Sequence, residues 1–301
     1  MKSLLTRARF ALLIAVAFAA PSLVATCRAE DGNLASALRA KGAEVTETQG
    51  EITGVAFKNK IVLTKEDLDQ IQRLTHLKTF ACAAGFEDAG FAALAGLSEL
   101  ESFSSNGMDA SDEAIRVLGG LKKLRAVAFF HPGKRFTGAG LAALADLPNL
   151  ERLTVAGSVE FADDGMAFVA KLTHLKEFRT WHSGVTIDGV KKLQALPEIK
   201  SLTIGQRLAS KPPTTLSDEA VGALAECKSL ESLALQEARL TLQALSQLKQ
   251  LAHLKKLTLD GIDIPESDLA QLRALLPQTD VKWTAPNEAA KRRIDALFGS
   301  R

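Results

Sequence analysis

The sequence predicts an α/β solenoid: a curved, right-handed horseshoe of parallel strands and helical segments, about nine repeats long. Three observations carry that prediction. The pentapeptide LTHLK at residues 74–78 returns at 172–176, and LAHLK follows at 251–255. Underneath lies a recurring pattern, apolar-x-x-apolar-x-apolar, which starts at Ile52, Leu77, Leu100, Leu124, Leu150, Leu175, Ile199, Leu230 and Leu254. Between these segments the apolar residues stand three apart, as in Leu68, Ile71, Leu74 and again in Leu245, Leu248, Leu251. Alternation at two giving way to spacing at three is the signature of an extended stretch followed by a helical turn or two.

The elements follow in chain order. Residues 1–29 read as a signal peptide, because Lys2, Arg7 and Arg9 precede the short apolar run ALLIAVAFAA and a small-residue stretch ending near Ala29. That run is too short and too soon interrupted by Pro21 for a lasting membrane span. Cleavage is the expected outcome, leaving a secreted or periplasmic chain with no membrane span. LVATC also resembles a bacterial lipoprotein signal, which would place a lipid anchor at Cys27. Removing residues 1–29 takes away four basic residues and no acids, so the formal charge of +2 becomes −2.

Residues 30–51 are expected to form an N-terminal cap, a helix over LASALRAKG and the first half of a strand pair. The solenoid spans 52–283. Thr64, Ser111, Thr137, Thr186, Ser217 and Thr241 each stand ahead of a helical run, where a hydroxyl can accept from an unpaired helix amide. One unit of about 24 residues cannot bury its own apolar face, so neighbouring units must share a core. The seventh unit carries an insertion, GQRLASKPPTT, whose proline pair predicts a protruding loop. PESDLAQLRALLPQTDVKW should close the far end with Trp283 as the lid, and residues 284–301 read as an amphipathic tail helix with Ile294, Leu297 and Phe298 on one side.

Units such as LKEFRTWHSGVTIDGVKKLQAL resemble leucine-rich repeats, and the resemblance runs from Ile52 to Trp283. The opening LRAKGAEVTETQGEITGVAF and the closing LRALLPQTDVKW resemble those of bacterial exported repeat proteins. The stacked asparagine of many such families is missing, since that position holds Lys60, Gly85, Met108, Pro132, Ser158 and Ser183. The resemblance implies a ribonuclease-inhibitor-like horseshoe whose strands line the concave face.

That face is where a repeat protein meets a partner. The two positions after each strand are mostly small or polar, but two units carry Phe130-His131 and Trp181-His182. These are equivalent places two coils apart, roughly 10 Å at the spacing of sheet strands. Arg152 and Arg179 lie beside them, and small Ala156 between them predicts a depression. Aromatic residues and arginines are enriched at interface hot spots. Phe130, His131, Arg152, Arg179, Trp181 and His182 are therefore the candidate partner-binding residues; the alternative is that Phe130 and Trp181 fold over the strand ends and pack locally.

Other chemistries find little support. His76, His174 and His253 share one repeat position, and no Cys, Asp or Glu at ligand-like spacing joins His131 and His182, so no metal or cofactor is expected. Cys82 and Cys227 fall at core positions five or six coils apart, beyond disulfide reach. No GxSxG, Walker A or HExxH motif is present, and Asp163 and Asp164 read as acids at a helix start. Alternating Lys, Arg and Glu argues against nucleic acid. The expectation is a non-catalytic protein-binding scaffold of the cell envelope or exterior; the alternatives are a structural envelope component without a specific ligand and an enzyme with a site on the concave face.

Overall fold

The computed structural model describes residues 33–83, 85–209 and 211–300. The expected signal segment, 1–29, and the lipid attachment considered at Cys27 lie outside the described residues. A helix over 33–40 (α1) leads into an antiparallel pair, β1 (Ala43–Thr48) and β2 (Glu51–Phe57). Nine strands follow: β3 (Thr79–Ala83), β4 (Ser102–Asn106), β5 (Ala126–Phe130), β6 (Arg152–Ala156), β7 (Glu177–Trp181), β8 (Ser201–Gly205), β9 (Ser232–Gln236), β10 (Lys256–Asp260) and β11 (Asp280–Thr284). Their order in the sheet is their order in the chain, and from β2 onward every pair is parallel. This is a leucine-rich-repeat solenoid.

The register explains the sequence pattern. Leu150, Leu153 and Val155 of one repeat, and Leu175, Phe178 and Thr180 of the next, are at most 2% exposed, so all three anchors of each unit point into the core. Between strands run short helices: α2 (Lys65–Ile71), α3 (Asp88–Leu94), α4 (Asp112–Ile115), α5 (Asp163–Val169), α6 (Ile187–Lys191), α7 (Asp218–Leu224), α8 (Leu242–Leu245) and α9 (Glu266–Leu275). Four stretches are tighter 3-10 turns, Arg116–Gly120, Ala139–Leu144, Lys192–Ala195 and Ser246–Gln250. A 3-10 turn holds three residues, which is why apolar residues three apart all face inward. Seven phenylalanines, 80, 86, 91, 103, 129, 136 and 161, form a continuous column with ring centroids 5.0 to 6.2 Å apart.

The cap hydroxyls of Thr64, Ser111, Thr186, Ser217 and Thr241 accept from helix amides. Thr137 does not, which corrects the sequence reading. Its unit forms only a 3-10 turn, and its hydroxyl donates to Asp112 Oδ2 at 2.7 Å. The same carboxylate accepts from the backbone N–H groups of Thr137, Gly138 and Gly140 at 2.9, 3.0 and 3.0 Å. Here the preceding repeat supplies the cap. Asp88 to Ser111, Asp163 to Thr186 and Asp218 to Thr241 repeat the arrangement, each carboxylate taking the next cap residue's N–H and hydroxyl. The backbone N–H of Ser111, ahead of its hydroxyl, holds the Asp88 carboxyl below the ordinary aspartate value. An aspartate ladder thus ties coils together along the convex side.

The insertion after β8 is clamped at its base. Gln206 is 3% exposed; its Oε1 accepts from Thr215 N at 2.7 Å, and its Nε2 donates to the Leu216 carbonyl at 3.1 Å. Thr215 Oγ1 donates to the Val185 carbonyl at 2.7 Å. Beyond that base the loop projects, leaving Leu208 53% exposed. At the C-terminal end Trp283 Nε1 donates to the Ile262 carbonyl at 2.8 Å. Helix α10 (Glu288–Phe298) buries Ala290, Ile294 and Leu297, so the amphipathic tail docks against the molecule. No helix among the described residues is long and apolar enough to cross a membrane.

Candidate recognition rim

The helices cover one face of the sheet and leave the other open. Alternation along each strand puts every second side chain on that open face. Its middle row, which includes Ala81, Ser104, Ala128, Thr154, Thr203 and Ala234, is small and uncharged except for Arg179 and Lys282. Bulk is concentrated at the strand ends.

Phe130, Ala156 and Trp181 stand side by side in register at the ends of β5, β6 and β7. The two aromatic rings lean across Ala156 and meet, with centroids 6.1 Å apart and planes at 50°. Ala156 is only 1% exposed, so the expected depression is filled by the rings. That correction has a simple cause: a methyl group cannot hold apart two large side chains that gain about 0.5–1.5 kcal/mol from contact beyond their burial. Both rings are half-buried, so the pair is locally packed yet still reaches solvent. An added Cβ on Gly205 would stand 2.3 Å from Trp181 Cβ, so glycine there lets Trp181 lie close to β8.

In six coils the next position turns the chain out of the sheet in a left-handed conformation. Gly107, Gly157 and Gly261 take it at φ 81, 74 and 62°, where glycine has no steric penalty. His131, His182 and Glu237 take it at φ 46, 50 and 59°, which for a residue with a Cβ costs roughly 1–2 kcal/mol. The side-chain-bearing coils alternate with coils holding Gly157 or the inward-turned Gln206. Each bulky residue therefore leans over a small or buried one: an added Cβ on Gly157 would stand 2.5 Å from His131 Cδ2. His131 Nδ1 donates to Asn106 Oδ1 at 3.0 Å. His182 Nε2 reaches past Gln206 and donates to Glu237 Oε2 at 3.2 Å.

The rim thus brings Phe130, His131, Trp181 and His182 together. Arg179 lies two residues before Trp181 on the same face, about 7 Å along the strand, with its Nε 2.5 Å from Glu177 Oε1. Arg152 does not join them. It begins β6, four residues or about 13 Å from Ala156, and points from the opposite end of the open face. Counting strand positions as equivalent without separating the two ends of a five-residue strand produced that misplacement. Sequence reasoning missed Asn106, Glu237 and Arg293, of which the last two extend the rim: Arg293 NH2 stands 2.8 Å from Glu237 Oε2. The signal was available in part, because Glu237 occupies the same repeat position as His131 and His182.

Hydrogen bonding from His182, then from Arg293, lowers the Glu237 carboxyl to a pKa of about 2 against the opposing effect of burial. Burial raises the thiols of Cys82 and Cys227 to about 11, which makes both poor nucleophiles in the core. Among the described residues, no three His, Cys, Asp or Glu converge as metal ligands do.

No family model matches the chain. No curated protein matches it either. Among solved structures it is similar to an internalin from Listeria monocytogenes, at 16% identity and a TM-score of 0.48, over 89% of this chain and 79% of the internalin. At that distance the similarity concerns the fold alone.

Proposed function

We propose that the chain is a non-catalytic protein-binding scaffold acting in the cell envelope or outside the cell, and that the strand-end rim is its contact surface. The observation that carries this reading is the half-buried Phe130–Trp181 pair, among the described residues the one large aromatic contact on an open sheet face whose middle row is small apart from Arg179 and Lys282. Its backbone setting adds support. His131 and His182 hold left-handed conformations that glycine would adopt without strain, and such strain concentrates where side chains are needed for function. Arg179 supplies a flanking cation; Arg152 belongs to a separate, more distant part of the face. The export reading rests on the charged, then apolar, N-terminal sequence.

The test is affinity capture from an envelope fraction with the purified chain, comparing wild type with the Phe130→Ala/Trp181→Ala double variant. The expected result is a defined partner retained by wild type and lost by the variant, with far-UV circular dichroism unchanged. Equal capture by both would overturn the assignment of the rim, and turnover of a substrate by the wild-type chain would overturn the non-catalytic reading.

A further inference from the structure

Glu237 is the hinge between two regions that the sequence separates. One oxygen, Oε2, accepts from His182 Nε2 at 3.2 Å and lies 2.8 Å from Arg293 NH2. His182 adjoins Trp181 in the aromatic pair; Arg293 belongs to the terminal helix α10. The contact spans from the end of β7, past β8, to the end of β9 and onward to an element that follows β11.

The helix is held by more than its apolar stripe. Arg239, only 12% exposed, donates from Nε to Asp263 at 2.6 Å, from NH2 to Asp295 at 2.7 Å, and from NH1 to the Gly299 carbonyl. Asp295 and Gly299 come from α10 and its end; Asp263 comes from the loop after β10. Arg239 and Arg293 therefore pin the helix along the strand-end edge, next to the rim and away from the small-residue face. A guanidinium as little exposed as that of Arg239 is costly to leave unpaired, so its three partners fix where the helix sits.

We propose that α10 is a working part of the recognition rim: acting through Arg293 and Glu237, it fixes the imidazole of His182 beside Trp181, so that docking of the helix and partner binding at the aromatic pair are coupled. The proposal rests on the reading of the rim as a recognition surface. Arg293 and Glu237 are positioning residues here. Coupling of this kind is reciprocal, so a bound partner that engages His182 also tightens the helix.

The experiment uses the full chain without a partner first. Proton–nitrogen NMR resolves the indole N–H of Trp181, assigned with Trp181→Phe, and the imidazole of His182, assigned with His182→Asn. Arg293→Ala should shift both signals, Arg293→Lys should restore them in part, and the indole of Trp283 should stay in place. A shift of Trp181 and His182 in Glu237→Gln but not in Arg293→Ala would overturn the coupling, since the helix would then be a passive lid. The second arm measures affinity for the captured partner, where Arg293→Ala should weaken binding about fivefold or more. Loss of capture in the aromatic double variant with full affinity in Arg293→Ala would overturn the coupling and leave the rim standing. Shifted signals with capture unaffected by either variant would instead overturn the rim.

Discussion

The two long edges of the sheet solve the same stacking problem with different chemistry. At the strand starts, a row of charges pairs between adjacent repeats: Lys78 with Glu101, Arg125 and Lys176 with Glu151, Lys200 and Lys255 with Glu231. Two flanking lysines, first Lys255 and then Lys200, lower the half-buried Glu231 carboxyl to about 2. Each of these side chains finds its partner one coil away, and none of these residues has a positive φ. At the strand ends, two contacts skip a coil, from Phe130 to Trp181 and from His182 to Glu237, while His131 bonds Asn106 in the adjacent coil, and three residues with side chains adopt a conformation suited to glycine. The first edge is what a self-sufficient ladder looks like. The second keeps strain and a half-buried aromatic pair that stacking alone does not require.

The largest break in that contrast should come from Gly205→Ala. The new Cβ meets Trp181 Cβ, an overpacking that costs about 1–3 kcal/mol. Thermal unfolding should show the loss, and tryptophan fluorescence should report Trp181 leaving Phe130; an unchanged Tm and spectrum would refute the packing described.

Next comes Glu237→Gln. A shift from 4.5 to about 2 corresponds to roughly 3 kcal/mol, and because the side chain is 26% exposed, solvent screening reduces this to about 2. The folded-state pKa is the lower one, so the contribution is complete above about pH 4.5 and disappears as pH falls through about 2. Denaturant unfolding of wild type and variant should therefore converge across that window, and a pH-independent gap would refute the linkage.

Glu151→Ala, at the other edge, should cost under about 1 kcal/mol, diminish with added salt, and leave capture intact. His131→Gly should change stability by only a few tenths, because relief of the left-handed strain offsets the bond lost to Asn106 and the added backbone freedom. Capture should nevertheless fall. A large destabilisation would make His131 structural.

Much of the fold was legible because it follows from periodicity. Leu150, Leu153 and Val155 had to face inward, and the docked side of α10 was visible in Ile294, Leu297 and Phe298. The site was legible only as far as register reached. Equivalent repeat positions brought Phe130 and Trp181 together, but side-chain lean set their separation, and filled the space over Ala156. Arg152 was misplaced because equivalence along the solenoid says nothing of distance along a strand. Asp163 read as an acid at a helix start, whereas it also bonds Thr186 one coil on; the recurrence of Ser-Asp at 111–112 and 217–218 was the available clue. The link from Glu237 to Arg293 depends on how the tail folds back, which no repeat pattern encodes.

The most direct test captures partners in parallel with two double variants, Phe130→Ala/Trp181→Ala at the strand ends and Glu151→Ala/Glu231→Ala at the strand starts. The account predicts that only the strand-end variant loses the partner. Retention by that variant, or equal loss by both, would contradict it.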